Sequence, residues 1–407
     1  MRIFYIHQYF VTPEEGGAIR SYHLARGLVE AGMEVEMITA HNHKDYDLRI
    51  IDGIKVHYLP VPYDNAFGLL QRSVAFFRFV SKAKGLIKKL PRPDLLYITS
   101  TPLTTGLLGL WAKKKFALPY IFEVRDLWPE APIQIGVIRN KWIKKVLFYL
   151  EGKIYSQALK IVALSPGVKN YIKNTCQRAD ISLIPNFCDT QFFSPLGKEE
   201  QKLESLGLKK KFTITYTGAV GRVNALHEFL YLAKEAQDQS LDWQFILMGK
   251  GVKLQELEVL AKELMLTNFR FFPFGNKHQV RDILAATDVV YVSFDHFPVL
   301  QSNSPNKFFD ALAMGKAVLV NYKGWVYELI KEHRSGIYHH PDNARKTIWQ
   351  LKTLSENPQV LHQMQKNARN LATLHFTKEK AVRKLLFVLD PVKFKMKVKD
   401  GVYILTA

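Results

Sequence analysis

Cysteine is scarce: Cys176 and Cys188 are the only two in 407 residues. That excludes a disulfide framework, and their spacing is not that of a zinc site. A reducing cytoplasm is the simplest home for such a chain. Long apolar runs are also missing, and none approaches the roughly 20 residues of a membrane-spanning helix. Near the start, Ile3-Phe4-Tyr5-Ile6 is broken by His7 and Gln8, so it reads as a first buried strand and not as a signal peptide. Acid is in short supply, with 37 Asp and Glu against 57 Lys and Arg, which gives a net charge of +20. Such an excess implies an anionic partner: nucleic acid, an anionic membrane or a phosphorylated substrate. No RNA- or DNA-binding module signature is present, so nucleic acid is not expected. The glycine loop after the first strand lacks G-x-G-x-x-G, which leaves little case for a nicotinamide cofactor.

The length suits two domains, and 47% apolar with 23% charged residues is ordinary for a globular protein. The basic excess is concentrated. From Asn65 to Pro93 there is no acid, and Arg72, Arg78, Lys82, Lys84, Lys88, Lys89 and Arg92 interleave with Phe67, Phe76, Phe77 and Phe79. Leu70, Val74, Phe77, Val80, Ala83 and Ile87 recur at three and four residues, which predicts one apolar helical face. That pattern fits a helix lying on an anionic membrane surface. It also fits a core helix with a solvated basic side.

In chain order, residues 2–41 read as strand, glycine loop, helix (about 18–31) and strand, a Rossmann-type half. Gly16 and Gly17 let backbone approach a ligand, or simply make a tight turn. Strands at Ile54–Pro60, Asp94–Ile98 and Tyr120–Val124 follow. The last runs into Arg125-Asp126-Leu127-Trp128-Pro129-Glu130, where open α/β sheets place ligands. Asp126 and Glu130 are the acid–base candidates there, against an Arg125–Asp126 structural pair. A polar, irregular stretch from Thr190 to Lys211 marks the boundary, giving domains 1–190 and 191–375 and a C-terminal helix and basic tail at 376–407. The second half restarts the alternation, with Gly221, Lys250 and Gly275 just after strand ends, where a flat base and a diphosphate would find room. Ser304-Pro305-Asn306 then opens a short helix that stops at Gly315. Its start offers free N–H groups, Lys307 adds a full charge, and Asp310 follows at i+3 on the same face. A nucleotide-sugar suits this pair; an ordinary helix–strand unit with a surface ion pair is the alternative. Alternating Val392, Phe394, Met396 and Val398 predict an edge strand or a surface-binding tip in the tail.

Two α/β halves in this order resemble the GT-B glycosyltransferases, and more narrowly glycosyltransferase family 4. The matching pieces are Gly16-Gly17 with Arg20–Gly32 (RSYHLARGLVEAG), Ile184-Pro185-Asn186 with Asp189 and Phe192, Thr217–Arg222 (TGAVGR), Met248–Gly251 (MGKG) and Pro305–Val318 (PNKFFDALAMGKAV). Phe122–Pro132 (FEVRDLWPEAP) is similar to the branch that builds bacterial O-antigens, capsules and exopolysaccharides, including L-fucosamine transferases. The resemblance implies two Rossmann-like domains with parallel sheets facing across a cleft, and C-terminal helices. It implies a UDP-sugar substrate held by the second domain, with Arg222 and Lys307 on the diphosphate, Lys250 in reserve and Asp310 on the ribose. Gly16 and Gly17 would approach from the first domain. Gly221, Gly275, Ser304 and Asn306 belong to the same donor set, and Asp126 is placed near the acceptor hydroxyl. Retention at the anomeric carbon, no cofactor and no metal are implied. So are a lipid-linked or polysaccharide acceptor, a peripheral place on the cytoplasmic membrane face, and a monomer or homodimer.

Two positions depart from the family pattern. The usual carboxylate pair separated by seven residues is here Ser302 and Asp310, so the first charge is lost. Many members place a lysine a few residues after the position of Arg222, and Val223-Asn224-Ala225-Leu226-His227 has none; His227 could contribute charge or be a helix-surface histidine. A UDP-N-acetylglucosamine 2-epimerase on the same fold, or a catalytically weak scaffold of the polysaccharide pathway, are the other readings.

Overall fold

A computed structural model describes every residue except Ala18, Asn65, Ala66, Ala179 and 397–407. The chain forms two compact units. The first comprises Met1–Pro13, Ala18–Pro185 and the segment from Glu379 onward; the second comprises Glu14–Gly17 and Asn186–Lys378. The division thus falls between Pro185 and Asn186, where the sequence suggests 190, and the last helix counts with the first unit.

In the first unit the strands are β1 (Arg2–Ile6), β2 (Glu34–His41), β3 (Asp47–Ile51), β4 (Ile54–Pro60), β5 (Leu95–Thr99), β6 (Tyr120–Val124), β7 (Lys160–Ala163) and β8 (Ile181–Leu183). They form one sheet in the order β3-β4-β2-β1-β5-β6-β7-β8. Every pairing is parallel except β3 with β4. The parallel strands are nearly continuous buried runs, as a sheet covered on both faces requires. The hairpin strand β3 was not expected from the sequence. Its signal is Asp52-Gly53, both at positive φ (46° and 79°), the backbone of a tight two-residue hairpin turn.

The helices of this unit are α1 (Arg20–Glu30), α2 (Leu69–Ile87), α3 (Gly106–Phe116), α4 (Glu130–Gln134), α5 (Lys141–Gln157) and α6 (Pro166–Cys176). Helix α3 packs between α2 and α5. Small residues allow it: a Cβ on Gly106 would lie 2.5 Å from Ile154 of α5, and one on Gly109 2.7 Å from the Tyr120 ring. Helix α2 corrects the sequence reading. Its buried side is Ala75, Phe79, Val80, Ala83 and Ile87, while Leu70, Val74 and Phe77 are exposed. The apolar positions span about half the helix circumference at 100° per residue, too wide for one contact face.

The second unit carries β9 (Phe212–Ala219), β10 (Trp243–Lys250), β11 (Phe269–Phe272), β12 (Val289–Val292), β13 (Ala317–Val320) and β14 (Gly336–Tyr338), all parallel, in the order β11-β10-β9-β12-β13-β14. Its helices are α7 (Glu200–Ser205), α8 (His227–Asp238), α9 (Leu254–Glu263), α10 (Lys277–Ala285), α11 (Asn306–Ala313), α12 (Trp325–Glu332), α13 (Ala344–Glu356) and α14 (Pro358–His375). Phe229 stacks on Tyr291 at 4.8 Å, with Phe245 and Phe269 against it, in the core between sheet and helices. The order reverses at β9, so the carboxyl ends of β9 and β12 flank a topological switch point, where such sheets bind ligands.

Helix α15 (Lys378–Leu389) packs in the first unit: Val382 fills the space that a side chain on Gly27 would need, and Lys160 donates to the Val388 carbonyl. Beyond it the expected strand is absent among the described residues. Asp390 Oδ1 instead accepts the N–H groups of Val392 and Lys393 and makes a turn. Val398 lies outside the described residues. Among the described residues no helix is long and apolar enough to cross a membrane.

Candidate functional site

Glycines shape the carboxyl ends of β9 and β10. A Cβ on Gly249 would lie 2.0 Å from the Gly218 carbonyl oxygen, and one on Gly251 2.2 Å from that of Val220. Only bare backbone lets the two strand ends abut this closely. Gly218, at φ +130°, leaves room for Lys307, whose Nζ would sit 3.3 Å from a Cβ there. That ammonium stands 3.4 Å above the Tyr216 ring, a cation–π contact from α11 to the end of β9. Burial pushes the Lys307 pKa well below its ordinary value. Beyond β9, Gly221 donates to Asn224 Oδ1 at 3.0 Å, closing a short turn that starts at Arg222. Arg222 is exposed; Lys250, the last residue of β10, lies 4.3 Å over the Phe274 ring. Among the described residues, none of Arg222, Lys250 and Lys307 has an acidic partner.

Helix α11 forms as its sequence predicts. Pro305 is the N-cap, and Gly315 at φ +61° ends the helix. Asn186 holds the turn before it: Nδ2 donates to the Ser304 carbonyl at 2.5 Å, and the Asn186 N–H to Ser304 Oγ at 3.3 Å. Asn306, half-buried, is the first helical residue. The ion pair with Lys307, the alternative to a nucleotide-sugar site, does not form at Asp310. Its Oδ2 accepts from Lys277 of α10 at 2.9 Å and not from Lys307, which lies on the ring of Tyr216. Gly275 precedes α10, and a Cβ there would lie 2.3 Å from Met248 Cε. Gly16, buried, and Gly17, exposed, both have positive φ; a Cβ on Gly16 would lie 3.7 Å from Asn276 Cα. His227 is exposed on α8, its ring edge-on to Tyr231. Ser302 closes the short turn Pro298–Ser302.

In the first unit Asp126 follows β6 and accepts from Thr101 Oγ1 at 3.0 Å. The alternative Arg125–Asp126 pair does not form: Arg125 Nη1 lies 3.1 Å from His7 Nε2. Burial and the Arg125 charge hold the His7 pKa well down, so the ring accepts as a neutral base. Glu130 opens α4 and accepts from Gln134. More polar weight rests on a pair that the sequence reading passed over as function. Arg20 binds Glu123 at 3.0 Å and donates to the carbonyls of Ile184 and Pro185, and Tyr97 donates to Glu123 at 2.7 Å.

Two family models match the chain. Residues 15–186 fit the glycosyl transferase 4-like domain, and residues 198–371 fit the glycosyl transferases group 1. The chain is a GT-B glycosyltransferase of the family 4 type. The glycosyltransferase superposes on sucrose-phosphate synthase (tll1590) from Thermosynechococcus elongatus with a TM-score of 0.79 at 16% identity, covering 96% of this chain and 99% of that one. It also matches Anabaena Alr3699/HepE in complex with UDP-glucose, with a TM-score of 0.72 at 16% identity, covering 96% and 100%. A curated relative from Campylobacter jejuni is 24% identical over 261 residues, 63% of this chain and 65% of that protein. It is an N-acetylgalactosamine-N,N'-diacetylbacillosaminyl-diphospho-undecaprenol 4-alpha-N-acetylgalactosaminyltransferase.

One cluster in this glycosyltransferase escaped the sequence. Glu228, buried at the start of α8, accepts from Asn321 Nδ2 at 2.7 Å and pairs with His296 Nε2 at 2.8 Å. Asn321 also brackets Phe294, accepting its N–H and donating to its carbonyl, both at 2.9 Å. The cluster pins the loop after β12 at the switch point. Its only sequence signal is an acid in an otherwise apolar helix start, and the partner residues lie far along the chain.

Proposed function

We propose that the second unit binds a UDP-sugar, an N-acetylated hexosamine or deoxyhexosamine, and that the enzyme transfers the sugar with retention to a lipid-linked or polysaccharide acceptor. The carrying observation is the group of unpaired cations at the ends of β9 and β10 and on α11. Arg222 and Lys307 take the diphosphate, Lys250 stands near, and the N–H groups at the start of α11 add to their field. Asp310 meets the ribose through Oδ1, while Lys277 holds Oδ2 and fixes the carboxylate. In the reaction the bond from the anomeric carbon to the diphosphate oxygen breaks and its electron pair stays with UDP. The acceptor oxygen bonds the same carbon on the same face, and its proton passes to the departing diphosphate oxygen. Asp126 is the proposed neighbour of that hydroxyl. Charge grows on the leaving diphosphate, and fixed cations stabilise it without a metal ion.

The UDP-glucose in the Anabaena neighbour and the diphospho-undecaprenol in the relative's name support this donor and acceptor class. The pathway is then bacterial surface polysaccharide synthesis, at the cytoplasmic membrane face, with α2 towards anionic lipid. The test is a panel of UDP-sugars with lipid-diphosphate acceptors, read by mass and product stereochemistry. Conversion of donor without acceptor would make the enzyme an epimerase, and failure to bind UDP by calorimetry would make it a scaffold.

A further inference from the structure

Outside the donor site, the most distinctive surface of the first unit is the helix layer α2–α3–α5. Helices α2 and α3 contain no acid, and the one acid of α5, Glu151, is buried. Helix α5 was not singled out by the sequence reading, yet residues 131–150 contain no acid either. Trp142, Val146 and Tyr149 recur at i, i+4 and i+7 and all face water, Trp142 at 76% and Tyr149 at 65% exposure. They lie opposite the buried side, Glu151, Ile154 and Tyr155. Lys141, Lys145 and Lys153 are exposed beside this stripe, with Lys153 5.2 Å over the Tyr149 ring. Helix α2 repeats the arrangement: Leu70, Val74 and Phe77 at the same spacing, Leu70 79% and Phe77 58% exposed, flanked by Arg78 and Lys82. Between them α3 ends on exposed Lys113, Lys114 and Lys115, with Lys113 donating to the Gln157 carbonyl of α5 at 2.8 Å.

We infer that α5 is a second membrane anchor, and that α2, α3 and α5 form one docking face for an anionic bilayer, with Trp142 and Tyr149 seated at the headgroup level. Tryptophan and tyrosine favour that depth because one end of each ring is apolar and the other wet. The lysines reach past them to lipid phosphates. A second copy of the chain fits poorly, because it would set cations against cations across an acid-free face. Nucleic acid or an anionic polysaccharide would satisfy the charge and leave two aliphatic and aromatic stripes in water. The inference deepens the membrane placement proposed above and rests on it, but it does not depend on the donor site.

The test is co-sedimentation of the full chain with vesicles of phosphatidylglycerol and phosphatidylethanolamine, compared with phosphatidylcholine alone. The wild type should prefer the anionic vesicles. Trp142→Ser with Val146→Ser and Tyr149→Ser should weaken partition at least tenfold, and Leu70→Ser with Val74→Ser and Phe77→Ser should do the same. Because these side chains are exposed, melting temperature and UDP binding should stay at wild-type values. Brominated lipid should quench wild-type fluorescence, and Trp142→Phe should bind as well but lose most of that quenching. Unchanged partition of the α5 variant, with the α2 variant impaired, would overturn the α5 anchor and leave the α2 placement standing. No vesicle binding by the wild type would overturn both, as would dimerisation or binding to duplex or polysaccharide that masks this face. A chain that binds vesicles but not UDP would sink the donor reading alone.

Discussion

The two sheets end in opposite electrostatic states. At the carboxyl ends of β5 and β6 charge is matched inside the protein: Arg20 and Glu123 are buried together, and two carbonyls and Tyr97 complete their hydrogen bonding. Burial is the largest single influence and would raise the Glu123 carboxyl, but the Arg20 charge and hydrogen bond, the Arg125 charge and the Tyr97 hydrogen bond together hold the pKa below its ordinary value. At the ends of β9 and β10 the cations meet no acid among the described residues and lie on ring faces, Lys307 on Tyr216 and Lys250 on Phe274. A matched buried pair holds structure, because removing one member strands the other. Unmatched cations around glycine-lined strand ends are the observation on which the proposed anion site rests.

Breaking the matched end should show most in stability. Glu123→Ala leaves Arg20 buried without its partner and should cost about 3–5 kcal/mol. Urea unfolding would measure it; a loss under about 1 kcal/mol would mean that the pair is not structural. Breaking the unmatched end should show in catalysis. Lys307→Ala and Arg222→Ala should each lower donor turnover about 10²–10³-fold with unchanged melting, the size seen when one donor to a transition-state anion is removed. Turnover near wild type in both would remove the diphosphate site from the second unit.

How much of this was legible follows the range of each interaction. Helix α11 was read correctly because Pro305 and Gly315 act within a few residues. The pairing of Asp310 was not, because its partner lies on α10, 33 residues away. Arg20 and Glu123 are separated by 103 residues, so neither spacing nor composition links them. Gly218 could be seen as a turn residue but not as the floor under Lys307, since that depends on where α11 lands on β9. On α2 the repeat of apolar residues was legible. Which third of the circumference meets the core depends on β4 and α3, and that lies outside the helix's own sequence.

A smaller effect sharpens the contrast at Lys307. Its ammonium is depressed by burial, and a bound diphosphate would favour the charged form. UDP binding should therefore take up a proton once pH exceeds the pKa of the free enzyme's lysine, and affinity should fall as pH rises further. Calorimetry at pH 8 in two buffers of different ionisation enthalpy should show it. Identical heats would mean that Lys307 keeps one protonation state.

The smallest effect lies in the first unit, at Glu151. Burial raises its pKa to about 7, despite hydrogen bonds from Tyr155 and Tyr171. A carboxyl raised on folding binds more protons folded than unfolded between roughly pH 4.3 and 7, so stability falls across that window. Glu151→Gln should match wild type below it and gain on the order of 1–3 kcal/mol above pH 7. Melting curves at pH 4.5 and pH 8 would decide; an equal shift at both would show that packing, not charge, is responsible.

Helix α15 has a consequence for synthesis. It packs against Gly27 and Lys160 but is encoded after the whole of Asn186–Lys378. On the ribosome the later unit can therefore finish folding while the earlier one still lacks its closing piece. A chain cut after Lys378 would carry the whole later unit and leave an open groove along α1, a surface for chaperones to guard where the final helix would pack.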